Sequence, residues 1–468
     1  MVAVKTGFIE QLMDILGENK VLTSKVDLLC YSRDASQIVG MPEVVVLPSS
    51  TEEVSKILSL ASQSRIPVVP RGSGTCLSGG AVPIKGGIVV DLSHMNKILE
   101  IDMENFQVFV EPGVVHADLN RELSKYGLFF PPDPASQDVC TIGGCLANNA
   151  GGPRAVKYGV TRDWVLGMEV VLPSGEILWT GSQTRKCVSF YDLSRLFIGS
   201  EGTLGIITKA LLKVTPLPET RLSSIAFFKD AKQAARCVYE IIGKGLDPSA
   251  CEFMDEQVLR AVSNFRNDFN YVGKAMILVE LDGEKNYVQQ RLKKLKEIFE
   301  QFNALRYNLA EDEKNTLQLW EIRKSSAPSL TSLGKPTCII EDVTVPISKL
   351  PDLVEAIENV SKKYDILIGT LGHAGDGNLH PNLLFDERYP EEVERAKKAA
   401  REIMNEAIKL GGTLTGEHGI GVSKLDMVPL EHSTVEMELA LKIKRAIDPY
   451  GIMNPGKKYP ISITHDPH

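Results

Sequence analysis

Two glycine-rich clusters late in the chain, Gly372 to Asn382 (GHAGDGNLHPN) and Thr415 to Gly421 (TGEHGIG), concentrate the residue types that do chemistry. They hold His373, His380 and His418, three of the eight histidines in the chain, together with the carboxylate of Glu417. Two imidazoles and a carboxylate, here His373, His380 and Glu417, form a familiar ligand set for a divalent cation that keeps positions open for substrate. Such donors accept zinc, iron or manganese. A lone loop histidine is more often bonded to backbone; four such groups in two clusters point the other way. Glycines crowd both clusters, as expected where backbone turns sharply so that side chains converge. A second glycine-rich set, in the N-terminal half, points to a large anionic cofactor. Cofactor and cation together imply redox chemistry.

The elements that position these residues follow from pattern. At 468 residues the chain should hold two or three domains. Its composition, 43% hydrophobic and 24% charged, is that of a soluble globular protein, and a net charge of −8 argues against nucleic acid as the partner. No C-x-x-C pair occurs, and Cys140 and Cys145 lack iron–sulfur or zinc spacing, so a cytoplasmic protein with reduced thiols is expected. The N-terminal stretch reads as an amphipathic helix with no cleavage site after it. No apolar run approaches the ~20 residues that span a bilayer, so any membrane contact would need a partner.

Residues 43–92 read as β-α-β-β. EVVVLP is a short buried strand, and Ser50 with Glu53 forms a capping box before Val54, Ile57, Leu58 and Ala61 line one helical face. IPVVP leads into the loop RGSGTCLSGGAV, where Gly72 and Gly74 expose consecutive N–H groups suited to phosphate oxygens. The loop is not G-x-G-x-x-G, so a nicotinamide Rossmann site is not supported. GGIVVDLS and FQVFVEPGV are strands, followed by a helix that stops at Gly127. The irregular stretch PPDPASQDVCTIGGCLANNAGGPRAVKYG packs Gly143, Gly144, Gly151 and Gly152 among small residues, and backbone of this kind is usually functional. MEVVLPSGEILW is a hairpin, and GTLGIITKALLKVTPLP closes the region at Pro216 and Pro218. From about Arg221, strands such as SSIAFF and AMILVEL alternate with charged helices, which predicts an α+β layer with helices on one face.

PRGSGT, PPDPAS…TIGG…NNAGG…YG, GSEGTLGIIT, GHAGDGNLHPN, GEHGIG and the NPGK tail occur here in one order, over roughly residues 38–460. In this the chain resembles the FAD-linked D-2-hydroxyacid dehydrogenases of the vanillyl-alcohol-oxidase type, which include glycolate oxidase flavin subunits, D-lactate dehydrogenases and D-2-hydroxyglutarate dehydrogenases. The resemblance implies an α+β protein: an N-terminal helical segment (1–37), a PCMH-type FAD-binding domain (38–217), a cap over the flavin (218–410) and a C-terminal segment returning to the FAD domain (411–468). Carried over by position, Arg71, Gly72, Ser73, Gly74 and Thr75 hold the pyrophosphate with Thr141, Gly143 and Gly144, and Pro70 and Pro134 also touch the cofactor. Asn149, Gly151, Gly152, Tyr158 and Gly159 lie along the cofactor, Glu201, Gly202 and Ile207 near the adenine end, and Asn454 near the ring. Some relatives attach flavin through a histidine where Thr75 stands, so non-covalent FAD is expected.

Oxidising a 2-hydroxy acid requires a carboxylate clamp, a polarised hydroxyl and a base. His418, beside Glu417, is the candidate base because imidazole titrates near neutral pH. Arg323 in LWEIRKS is the candidate clamp: W-x-x-R spacing puts Trp320 and Arg323 on one helix side, and a guanidinium fork fits a carboxylate. Asn382 adds a polar contact to substrate, by resemblance. Relatives that take a second carboxylate carry a lysine in the strand before a V-[ST]-[LV]-P turn. Here CIIEDVTVP places Ile340 and Glu341 there, which favours D-lactate or glycolate over D-2-hydroxyglutarate. With no nicotinamide site, electrons are expected to pass to an electron-transferring flavoprotein or an iron–sulfur subunit, in a hetero-oligomer. Two rivals stand beside this reading: an alkyl-glycerone-phosphate synthase, and a flavin-holding relay subunit without its own substrate.

Overall fold

In the computed structural model residues 6–459 are described, and they divide into two compact units. The first comprises the chain up to Gly151, Val160–Leu217 and everything described from Glu417 onward; the second comprises Gly152–Gly159 and Pro218–Gly416. The sequence reading kept 152–159 with the FAD domain. The structure gathers it into the second unit, where Lys157 Nζ and Tyr158 Oη both reach the buried Asp282 carboxylate at 2.6 Å. Residues 1–5 and 460–468 of the expected terminal segments lie outside the described residues.

The first unit is built on two larger sheets beside the short pair Leu128–Phe129 and Thr215–Pro216. Val21–Leu22, Val44–Val46, Ile88–Asp91 and Val68–Arg71 lie side by side in that order, the last three parallel. Parallel strands are covered on both faces, which is why the three consecutive valines 44–46 are all fully buried. The crossover helix Thr51–Ser64 begins as its sequence dictates: Ser50 Oγ accepts from Glu53 N at 3.2 Å. The return bond of the box is displaced by one residue, with Glu53 accepting from Ser49 N rather than Ser50 N. Its buried residues include Val54, Ile57, Leu58 and Ala61, which join Phe8, Leu12 and Leu16 of the helix Thr6–Leu16 in one core. The second sheet is an antiparallel array of Ile98–Asp102, Gln107–Val110, Ile206–Lys213, Val165–Val171 and Ile177–Gly181. The last pair is the expected Pro-Ser-Gly hairpin, turning through Gly175 at φ 92°. The C-terminal segment returns to the first sheet: Val68 N donates to Ile452 O (2.8 Å) and Asn454 N to Val68 O (2.7 Å).

The second unit holds an antiparallel sheet in the order Arg306–Leu309, Thr220–Phe228, Ala275–Gly283, Ala250–Asp255, Leu367–His373, Asn378–Phe385 and Thr337–Ile340, with Val343–Thr344 also pairing to Asn378–Phe385. Helices were expected on one face, but the sheet is buried on both. Met254, Met276 and Leu278 pack with Val258, Leu259 and Val262 of the helix Glu256–Phe265, while the alternate residues Phe253, Ile277 and Val279 are also fully buried. The physical sign is in AMILV at the head of AMILVEL, five apolar residues in a row rather than an alternation. No helix among the described residues is long and apolar enough to cross a membrane.

Asp255, at the end of its strand, accepts from the N–H groups of Val258 (2.9 Å), capping the following helix, and Thr370 (2.7 Å) on the neighbouring strand. Burial outweighs these bonds and pushes its carboxyl up to about 7. The folded state therefore holds this proton more tightly than the unfolded chain, and the group's contribution to stability falls as pH rises from about 4 to about 7. Asp255→Asn removes that dependence. The stability difference, wild type minus variant, should be larger near pH 5 than near pH 8 in denaturant titrations.

Candidate active site

The loop after the Val68–Arg71 strand, the turn into the helix Ile142–Asn148 and the segment 200–207 line a cavity of about 460 Å³ in the first unit. Glycine is required at its walls. A Cβ on Gly72 would collide with Thr141 Oγ1, one on Gly74 with the Arg71 guanidinium, and one on Gly143 would stand 2.6 Å from Pro112 Cβ. The Arg71 side chain thus lies beneath the loop, where its guanidinium stacks 5.4 Å from the Tyr31 ring centroid. Gly143 N donates to Pro112 O (2.7 Å) and Gly144 N to Thr141 Oγ1 (3.3 Å), so these glycines offer room rather than donors. Among the described residues no hydrogen-bond partner is found for the N–H groups of Ser73, Gly74 and Thr75. A close-approach wall beside unengaged donors suits the pyrophosphate of a dinucleotide cofactor.

Fifteen of the residues singled out in the sequence line this cavity: Pro70 to Thr75, Pro134, Thr141, Gly143, Gly144, Glu201, Gly202, Ile207, Glu417 and His418. Six do not. Asn149 caps the helix Ile142–Asn148 in a left-handed conformation and accepts from Arg162 N, and Gly151 packs under Glu417, whose Oε2 would lie 2.8 Å from an added Cβ. Gly152, Tyr158 and Gly159 belong to the second unit. Asn454, expected near the ring, is buried with its amide donating to Gly80 O (2.9 Å) and Glu201 O (2.6 Å), so it holds backbone. Sequence reading passed over Ala81, Asn148, Ser136 and Phe197, which also line the cavity. Their types carry no chemical signal. Only their place beside the glycine runs could have drawn attention.

Glu417 and His418 are held at the cavity edge by their own loop. The buried carboxylate of Glu201 accepts from Ile420 N (2.9 Å) and Gly421 N (2.7 Å), and Ser78 Oγ donates to His418 O at 3.1 Å. Glu201 is therefore the anchor of the histidine loop, not solely a cofactor contact as the sequence suggested.

In the second unit, the strands Leu367–His373 and Asn378–Phe385 form a tight hairpin in which His373 pairs with Asn378 and Leu371 with His380. This register makes His373 and His380 diagonal neighbours on one sheet face. Their ring centroids are 5.1 Å apart at an interplanar angle of 81°, and both are nearly buried. Each imidazole has a carboxylate behind Nδ1: Glu252 Oε1 at 2.8 Å from His373, and Asp342 Oδ1 at 3.5 Å from His380. For His373 the hydrogen bond at Nδ1 directs Nε2 away from the carboxylate, as in metal-binding histidines. Arg323 and Trp320 lie on one side of the helix Glu313–Lys324, as their spacing predicts. Trp320 Nε1 donates to Glu280 (2.7 Å), and Arg323 makes a fork to Glu252 Oε2 through Nε (2.8 Å) and Nη2 (2.7 Å). Burial works to raise the Glu252 carboxyl, but His373 and Arg323 together hold it below the usual range. Asn382, expected to meet substrate, is buried with Nδ2 donating to His380 O at 2.7 Å; it steadies the strand. Glu252 and Asp342 carried no motif signal and were missed.

Overpacking at the cradle predicts cofactor loss. Gly143→Ala costs about 1–3 kcal/mol at the cavity wall, and the purified variant should show a lower ratio of flavin to protein absorbance than wild type.

Comparison with known proteins bears on these features. Residues 42–181 match the FAD binding domain family and residues 217–458 the family described as FAD linked oxidases, C-terminal domain. The chain is 44% identical over 452 residues to glycolate oxidase subunit GlcD of Bacillus subtilis, covering 96% of both chains. It is 35% identical to GlcD of Escherichia coli K12, covering 94% of this chain and 88% of the relative. To the mitochondrial D-lactate dehydrogenase (cytochrome) of Arabidopsis thaliana it is also 35% identical, covering 98% and 81%. Among solved structures, p-cresol methylhydroxylase with substrate bound superposes with a TM-score of 0.81 at 20% identity, covering 97% of each chain. An alkyldihydroxyacetonephosphate synthase gives 0.76 at 20%, covering 97% and 86%. At those identities the structures speak for fold alone. The chain belongs to the FAD-linked oxidases, as an oxidoreductase built on the PCMH-type FAD-binding fold and related to glycolate oxidase GlcD subunits and D-lactate dehydrogenases.

Proposed function

We propose that the protein oxidises a small D-2-hydroxy acid, D-lactate or glycolate, to the 2-oxo acid. The observation that carries this reading is the second unit's polar face, where two converging imidazoles and an oriented arginine are joined through one buried carboxylate. FAD held along the first unit's cavity would supply, at N5, the acceptor for the substrate's Cα hydride. A divalent cation (zinc, iron or manganese) supplies Lewis acidity toward the hydroxyl and carboxylate oxygens. The residues present fit such a cation, since the His373 and His380 rings converge and His373 is oriented through Nδ1 by Glu252; Glu417 completes the proposed ligand set. Arg323 clamps the substrate carboxylate with donors beyond those given to Glu252. His418 takes the hydroxyl proton.

The substrate preference is supported by one position. Ile340 pairs in register with Asn382, two residues beyond His380, so all three share a sheet face. An aliphatic side chain there suits a methyl group or hydrogen as the substituent on Cα and offers nothing to a distal carboxylate. D-2-Hydroxyglutarate is accordingly the second reading. The relay subunit is disfavoured by the intact Arg323–Glu252–His373 chain. The GlcD relatives are named as subunits, which supports a hetero-oligomer passing electrons to an electron-transferring flavoprotein or an iron–sulfur subunit.

Anaerobic mixing with D-lactate or glycolate should bleach the flavin spectrum, and bleaching by neither would end this reading. His418→Ala should retain FAD while flavin reduction slows about 10²–10⁴-fold. Prior chelation of the metal should slow it as well, with recovery on adding zinc or manganese. Ile340→Lys should raise kcat/KM for D-2-hydroxyglutarate and lower it for D-lactate, read by steady-state assays with an artificial electron acceptor.

A further inference from the structure

Glu252 lies on the strand Ala250–Asp255, fully buried, with its two oxygens divided between two groups. Oε1 faces His373 Nδ1 at 2.8 Å, and Oε2 faces Arg323 Nε and Nη2 at 2.8 and 2.7 Å. An ionised carboxylate only accepts, so the hydrogen of the imidazole stands on Nδ1 and the lone pair on Nε2. The same carboxylate takes one edge of the Arg323 fork and so turns the Nη1 side of the guanidinium toward other ligands. We infer that Glu252 is the positioning residue for both halves of the substrate site, setting the tautomer of His373 and the plane of Arg323 through one buried charge. This inference rests on the 2-hydroxy acid reading above and assigns Glu252 a part in metal affinity and carboxylate recognition at once.

The competing account is a plain ion pair that fastens the helix Glu313–Lys324 to the sheet. That helix is fastened elsewhere too: Trp320 Nε1 donates to Glu280 (2.7 Å), and Thr316 Oγ1 accepts from Ser223 N (3.0 Å). A fastening role alone also leaves the bond to His373 without a purpose.

The test compares full-length, FAD-loaded wild type, Glu252→Gln, Glu252→Asp and Arg323→Lys. Zinc affinity is measured by competition with a chromophoric chelator, and KM and kcat with D-lactate. Glu252→Gln allows the amide to donate to Nδ1 and move the hydrogen to Nε2, so zinc should bind about 10–100-fold more weakly with FAD content unchanged. Glu252→Asp keeps the charge at shorter reach and should fall between wild type and the glutamine variant; it carries the test if Glu252→Gln does not fold. Arg323→Lys should raise KM for D-lactate while zinc affinity stays within about twofold of wild type. Unchanged zinc affinity in the Glu252 variants overturns the inference, and so does an equal loss in Arg323→Lys, which is what a fastening role predicts. A wild-type protein that takes up no zinc, iron or manganese overturns the underlying metal reading itself, a result visible before any variant is made.

Discussion

A carboxylate withdrawn from water costs several kcal/mol unless donors or a cation answer it, and this constraint governs the segments that Glu201, Asp342 and Glu252 hold. Glu201 is answered by the N–H groups of Ile420 and Gly421, and Asp342 by Asn378 Nδ2 (2.7 Å) and Thr415 Oγ1 (2.6 Å). Glu252 is answered by His373 and Arg323. Glycine-rich segments bury little side-chain surface, so packing alone cannot hold them in one place. A buried anion can, because losing any one of its partners leaves an uncompensated charge at about 3–5 kcal/mol.

The same constraint connects fold to chemistry. Donor atoms for a cation or a substrate carboxylate must stand within about half an ångström of their working positions. In the second unit that precision comes from a hairpin register and the carboxylates behind it, with His373 and His380 at or within strands rather than on free loops. In the first unit the order is reversed. The loop carrying His418 is irregular, and Glu201 and Ser78 hold its backbone so that the side chain's place follows from theirs. The cofactor wall depends on shape more than on donors, since Gly143 and Gly144 give their N–H groups to Pro112 and Thr141.

A residue's type says most where it has one use. The glycines at 72, 74 and 143 meet atoms a Cβ would strike, and Trp320 and Arg323 reach carboxylates from one helix side. Type says less about polar residues in glycine-rich text. Asn149, Asn382 and Asn454 each looked like ligand contacts, and each is occupied in holding backbone. An amide beside a site either touches the ligand or holds the loop that does, and spacing does not distinguish the two. The second unit's helices were misplaced for a related reason. The apolar run at 275–279 lacks alternation, and that lack means burial on both faces.

Local text alone determined the donor types, the glycine turns, the helix starting after Ser50, the 165–181 hairpin and the family. These are properties of short segments, set by backbone sterics, capping and periodicity. The assignment of Glu252, Asp342 and Glu201 belonged to the tertiary structure. Glu252 lies 121 positions from His373 and 71 from Arg323, and Glu201 lies 220 from Gly421. No local pattern records which buried charge will face which donor across such distances, because that pairing exists only once the sheet is assembled and the carboxylate has lost its water.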